Sequence, residues 1–176
     1  MIDISGHLRP YRNELGFEDN TTDFVINCCG YQHFLTKDFS RLRPNGRLDF
    51  QLIYIFNGCG YFKLNHQWIK REKGDIQIFL PGERQEYTYY AKDTPEVFWI
   101  HFTGKNCKKL LEEYDIHSCH IGENILFKTL FQEIILELQL KKYGFEAYIA
   151  SNFIKLLISF NRTLLNEKYS AHTNFA

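Results

Sequence analysis

The stretch "GDIQIFLPGERQEYTYY", residues 74–90, decides the fold. A Gly-Asp pair opens a run of alternating apolar residues, which stops at Pro81-Gly82 and resumes as a tyrosine-rich segment. Glycine and proline punctuate the chain because each imposes a backbone geometry that a continuing strand does not accept. The stretch therefore reads as strand, tight corner, strand.

The same grammar extends in both directions up to about residue 104. "DFVINCCGYQHF", "LDFQLIYIF", "GYFKL", "QWIKR" and "EVFWIHFT" read as further strands, divided by "RPNG", "NGCG", "KLNHQ" and "EKGD". In the last of them Val97, Trp99 and His101 point one way and Phe98, Ile100 and Phe102 the other. Both faces are rich in apolar or aromatic residues, so one face is expected to pack on a second sheet and the other to line a cavity. Short strands joined by Gly/Pro turns favour a sandwich or closed barrel over a parallel α/β sheet.

From about residue 105 the period changes. "KNCKKLLEEYDI" reads as a short helix, and "ILFKTLFQEIILELQLKK" repeats Leu126, Leu130, Ile134 and Leu138 at every fourth position. Lys141, Lys142 and Gly144 suit a helix terminus with a left-handed stop. A second long helix carries Ile149, Phe153, Leu156, Leu157, Phe160 and Leu164, and the tight connection makes the two antiparallel neighbours. Both stripes are wide, and a terminal helix pair turns only one side to its own barrel. Leu126, Leu130, Ile134, Leu138, Phe153 and Leu157 are therefore expected to contribute to a homodimer interface, the plainer alternative being that the helices only cap the barrel. After Glu167, "KYSAHTNFA" shows no pattern. The expected division is an arm and ligand-binding barrel over 1–104 and a helical segment over 105–176.

Composition narrows the function. Aromatic residues make up 16% of 176 residues, enough for a real core, and 21 basic residues balance 21 acidic ones, so no strongly basic field draws in nucleic acid. The five cysteines, two of them adjacent, form neither a disulfide framework nor a C-x-x-C zinc motif, and read as free thiols in a reducing cytoplasm. No segment reads as a signal peptide or membrane span.

Catalytic patterns are missing too. There is no G-x-S-x-G, no S-x-x-K and no phosphate-cradling loop. His117 and His120 in "HSCH" sit in a polar connector without a carboxylate pattern, and Gln85 follows the Pro-Gly corner where a metal-holding barrel would place a histidine. No metal, no cofactor and no catalytic residue are expected. What remains suits a polar ring: Trp99 to stack on C–H faces, Arg43 to offer a donor fork, Gln85, Tyr87, Tyr89 and Tyr90 to give directional bonds. His101 shares the face of Trp99 and joins the set.

"RLDFQLIYIFNGCGYF", "KGDIQIFLPGERQEYTYY" and "VFWIHFTG", in that order and spacing, closely resemble the N-terminal sensor domain of AraC-family transcriptional regulators. The resemblance spans roughly 43–104, and the helix pair extends it to about residue 166. It implies a mainly β fold with α: a cupin-like double-stranded β-helix, or jelly-roll barrel, followed by an antiparallel pair of α-helices that dimerise. In the arabinose-responsive member, an arginine in an R-P-x-G turn, a tyrosine after the Pro-Gly corner and a tryptophan on the last strand grip the sugar. Arg43, Tyr87 and Trp99 stand at those positions, while Val97 and Gln85 replace histidines, which points away from arabinose itself. The N-terminal arm has no counterpart in "MIDISGHLRPYRNELG".

The resemblance implies a small-molecule effector, a sugar or related compound, and DNA contact only through helix-turn-helix units that this chain lacks. Two rivals stay open: a cupin-type sugar isomerase or epimerase, which would need a metal triad or a placed His-acid pair, and a dimerisation module whose barrel is filled by its own aromatics.

Overall fold

The computed structural model of the protein describes residues 1–173, with side chains to residue 166. Nine strands are formed: β1 (Ile2–His7), β2 (Val25–His33), β3 (Phe39–Arg43), β4 (Phe50–Asn57), β5 (Cys59–Leu64), β6 (Gln67–Glu72), β7 (Ile76–Phe79), β8 (Gln85–Tyr89) and β9 (Glu96–Thr103). Helices α1 (Cys107–Glu113), α2 (Ile125–Leu140) and α3 (Phe145–Thr173) follow. The strands make two antiparallel sheets, in the orders β1-β2-β9-β4-β7 and β3-β8-β5-β6. The chain changes sheet at most steps, and only β1–β2 and β5–β6 are consecutive partners in one sheet. This winding makes a jelly-roll barrel, with α2 and α3 joined by a short turn outside it.

The two faces of the five-stranded sheet do different work. Leu52, Tyr54, Phe98, Ile100 and Phe102 point outward and are buried against α2 and α3, where Phe127, Leu130, Phe131, Ile134, Phe153, Leu157 and Phe160 meet them. Rings interlock there, with Phe98 and Phe131 stacked 5.1 Å apart and Phe102 4.8 Å from Phe153. Each such burial stabilises by roughly 1.5–3 kcal/mol. The outward face thus packs on helices, and the inward face looks across at the second sheet.

This arrangement turns the helix stripes toward their own sheet. Leu130, Ile134, Leu138, Phe153 and Leu157 are all buried within their own chain, and only Leu126 is half-exposed. A four-residue repeat marks the face a helix buries, and here the sheet already demands that face. The C-terminal stretch read as patternless is helical to Thr173, since no glycine or proline interrupts it; positions 174–176 lie outside the described residues. The left-handed stop of α2 is Lys141, at φ +49°, and Gly144 belongs to the turn before α3.

Strands β1 and β3 carried no clear signal. β1 is largely exposed and held by its backbone pairing to β2. α2 clamps it from outside: Gln139 Nε2 donates to the Ser5 carbonyl (3.0 Å) and Lys141 Nζ to the Leu8 carbonyl (2.8 Å). β3 turns Phe39, Arg41 and Arg43 inward and leaves Leu42 exposed, an inverted pattern for a core strand.

Candidate functional site

The turn "RPNG" after β3 and the Pro-Gly corner after β7 are built against each other. Gly46 N donates to the Arg43 carbonyl (3.1 Å), and Gly82 N donates to the Arg47 carbonyl (2.8 Å). Gly46 sits at φ +64°, and a Cβ there would run into the Glu83 carbonyl oxygen. The contact fixes the register in which Arg43 stands opposite Gln85. Arg43 Nη1 then donates to Gln85 Oε1 at 2.7 Å, and Gln85 Nε2, wholly buried, has no protein partner. The corner therefore aims an amide inward and holds it with an arginine.

Below this pair lies a buried polar floor. Asp49 is fully buried and accepts from Arg47 Nε (2.7 Å), Arg47 Nη2 (3.2 Å) and Asn27 Nδ2 (2.9 Å). Burial by itself would push the Asp49 carboxyl up, but His101 and the Arg47 guanidinium outweigh it and hold it well below the usual carboxylate range. Arg47 Nη1 also donates to the Glu14 carbonyl (2.8 Å), and Asn27 Nδ2 to that of Phe17 (2.9 Å). These bonds bring the loop after β1 over the barrel mouth.

His101 stands beside this floor, its Nδ1 3.4 Å from Asp49 Oδ1. That is near enough to feel the charge but off line for a hydrogen bond, so Nδ1 is unpaired. Burial, helped by Arg47 and Arg43 and opposed by Asp49, lowers its pKa to about 4, so the imidazole is neutral near pH 7. Cys28 lines the same space, and burial pushes its thiol up to about 12. Trp99 is half-exposed, its ring 5.3 Å from that of His101. Its indole lies flat on Gly30 of β2, where any Cβ would overlap Cζ2.

Together these groups enclose a cavity of about 250 Å³. Arg43, Tyr87, Trp99 and His101 all line it, as the sequence reading expects, and Gln85 adjoins it through Arg43. Tyr89 instead lies in an apolar cluster beyond the cavity, and Tyr90 is outside against Tyr61. Sequence reasoning missed Arg41, Arg47, Gln51, Asn27 and the arm residues His7, Arg9 and Arg12, which complete the wall, and Asp49, which holds Arg47 from behind it. The alternation of Arg41 with Arg43 was the available signal.

Among the described residues no three His, Cys, Asp or Glu side chains are grouped to hold a metal ion. His120 of "HSCH" pairs instead with Asp75 at 2.8 Å on the surface. Nor, among the described residues, is any helix long and apolar enough to cross a membrane.

Comparison with known proteins gives one family and several distant folds. The model for the AraC-like ligand binding domain matches residues 27–157. No curated protein matches the sequence. Among solved structures, the EutQ protein of Clostridium difficile aligns at 10% identity and TM-score 0.34, over 44% of this chain and 56% of that one. The chain thus spans little more than half the length of that relative. The Cupin_2 domain of an XRE family transcriptional regulator from Enterobacter cloacae aligns at 12% identity and TM-score 0.36, over 57% of this chain and 95% of that one. A cupin protein from Bacteroides fragilis gives 11% identity and TM-score 0.34, over 53% and 84% respectively. With nearly three-quarters of its length matched by the family model, this chain belongs to the AraC-like ligand-binding domains.

Proposed function

We propose that this domain senses a sugar or related small molecule in its barrel and, in a longer regulator, controls DNA binding by a helix-turn-helix domain. The observation that carries the reading is a set of buried polar atoms without protein partners: Gln51 Oε1, Gln85 Nε2 and His101 Nδ1. Leaving such atoms unpaired costs roughly 1–3 kcal/mol each. Gln51 and His101 line one cavity that also offers an accessible indole, and Gln85 adjoins it behind Arg43, a pattern suited to a hydroxylated ring. The cavity volume favours a single ring over a longer glycan.

The domain is read as a binder and not a catalyst. Asp49 is committed to Arg47 and Asn27, and Cys28 and His101 are buried in neutral form. Transmission would pass through the arm, which lines the cavity on one side and is clamped by α2 on the other. A ligand that favours one arm position over another shifts the helices by its difference in affinity, and an indifferent ligand shifts nothing. Homodimerisation through the helices belongs to the same proposal. With the stripes buried, the face left for a partner is the apolar groove of Phe24, Leu126, Ala150, Ile154 and Ile158.

The test is tryptophan fluorescence of a Trp68→Phe protein, which leaves Trp99 as the sole indole, titrated with mono- and oligosaccharides. A saturable change for one compound, lost in Arg43→Ala, is the expected result. A flat response together with an unchanged melting temperature across the panel would overturn the sugar.

A further inference from the structure

Of the eight arginines in the sequence, five line the cavity: Arg9, Arg12, Arg41, Arg43 and Arg47. None of the described lysines does, although lysines are the commoner cation in this chain. Only Arg47 is neutralised on site, by Asp49. The acids that line the cavity are Asp3 and Glu14, and neither forms an ion pair with Arg9, Arg12, Arg41 or Arg43 among the described residues. Four guanidinium groups therefore face one small cavity against two carboxylates, neither ion-paired with them and Asp3 already accepting from Gln32 Nε2 (3.3 Å), in a chain whose net charge is zero.

What holds these arginines in place does not cancel their charge. Arg9 lies 4.3 Å over the Phe17 ring and donates to Asn27 Oδ1 at 3.0 Å. Arg41 lies 5.1 Å over Phe39, and its buried Nε has no partner. Arg43 spends one nitrogen on Gln85, and Arg12 reaches Ser5 Oγ at 3.3 Å. Rings, amides and a hydroxyl hold the forks, and none of these contacts carries a negative charge. Burial, and after it Arg47 and Arg41, disfavours the charge on Arg43, though Tyr87 supports it. A cluster of like-charged forks around one cavity suits an oxyanion, which lysines would engage only as point charges.

We infer that the effector carries an anionic oxygen group, as a sugar acid or a phosphorylated sugar does, held between Arg41 and Arg43 of the barrel and Arg9 and Arg12 of the arm. The inference rests on the effector-sensing reading above and gives the ligand its chemical class. The neutral ring lies toward Trp99, Gln51 and His101, and the oxyanion lies toward the arm. In this arrangement a neutral sugar satisfies only half of the site.

Thermal unfolding and calorimetric titration of the whole chain would test it with matched pairs: galactose against galacturonate, glucose against gluconate, and glucose against glucose 6-phosphate. Inorganic phosphate and acetate at constant ionic strength serve as bare-anion probes. The expected result is that one anionic member binds roughly ten- to a hundredfold more tightly than its neutral partner, as a charge-assisted bond predicts. Arg41→Gln and the exposed Arg12→Gln should each remove much of that preference, and Arg84→Gln, outside the barrel, should not. The carboxylate and phosphate arms identify which anion is read. Equal or tighter binding of a neutral partner overturns the anion and leaves the sensor standing. Silence towards every sugar, acid and bare anion overturns both.

Discussion

Along β8 the inward side chains run Gln85, Tyr87, Tyr89, and along β4 they run Gln51, Ile53, Ile55. The registers align them in layers: His101 lies opposite Gln51, Trp99 opposite Ile53, Val97 opposite Ile55, and on the other sheet Arg43, Arg41 and Phe39 face Gln85, Tyr87 and Tyr89. One end of the barrel interior is therefore polar, with unpaired buried atoms. The other is an aromatic plug in which Phe34, Phe39, Phe62 and Tyr89 pack ring on ring, Phe34 and Tyr89 at 4.9 Å. The same strands serve both ends, so a shift of two residues along a strand separates site from core. The filled-barrel reading is correct for one end only. The plug supplies a rigid base, which lets the other end carry atoms that cost stability.

The comparison breaks first if either end is emptied. Phe62→Ala removes a wholly buried ring from the plug and should cost about 3–5 kcal/mol in urea unfolding. Asp49→Ala should cost a similar amount at the polar end, about 3–5 kcal/mol, because it strands a buried Arg47. The two should differ in consequence. Replacing both Arg47 and Asp49 by apolar residues of similar volume should recover most of the loss, whereas no second change restores the plug so simply. If the double replacement were as unstable as Asp49→Ala, the floor would owe its stability to the pair itself.

Acid separates the two ends next, since the plug has nothing that titrates in the acid range. His101 has a folded pKa of about 4 against 6.5 in the open chain. Between these values the unfolded chain binds a proton that the folded one refuses, so stability falls as pH drops from 6.5 towards 4, by about 3 kcal/mol at most. Asp49 adds a loss at lower pH still, because its folded pKa is depressed and its contribution disappears only when it is protonated. His101→Gln should flatten the upper part of the curve, and an unchanged slope would mean that the imidazole is not held neutral.

How much of this was legible follows the same division. The sheet faces and the helix stripes could be read because apolar periodicity reports burial, and Phe98, Ile100 and Phe102 fell where alternation put them, whereas Tyr89 read as a binding residue and proved part of the plug. Arg43, Trp99 and His101 were legible because they sit on strong strands or a recognisable turn. Asp49 and Arg47 were not, since "GRLD" reads as an ordinary polar turn until folding buries both side chains. The arm was opaque for a related reason: its bonds to the barrel run through main-chain carbonyls such as Glu14 and Phe17, which leave no trace in residue type. The stripes of α2 and α3 were legible as covered faces but not their cover, because a stripe states that a helix face is buried without naming what buries it.

The smallest expected effect is the sharpest test, because its sign is unusual for a buried substitution. Gln51 is buried, and its Oε1 has no protein partner beside His101. Gln51→Leu keeps nearly the same volume and removes a polar group that folding must desolvate, so it extends the plug by one layer. It should stabilise the free domain by about 1 kcal/mol in chemical denaturation. The same change should weaken the fluorescence response of Trp99 to its ligand, because an oxygen that served only the ligand is gone. Gain in stability joined to loss of binding would mark the polar end as strained in the service of recognition. A destabilised Gln51→Leu protein would instead mean that this amide already pays its way in the fold, and the two ends would no longer differ in kind.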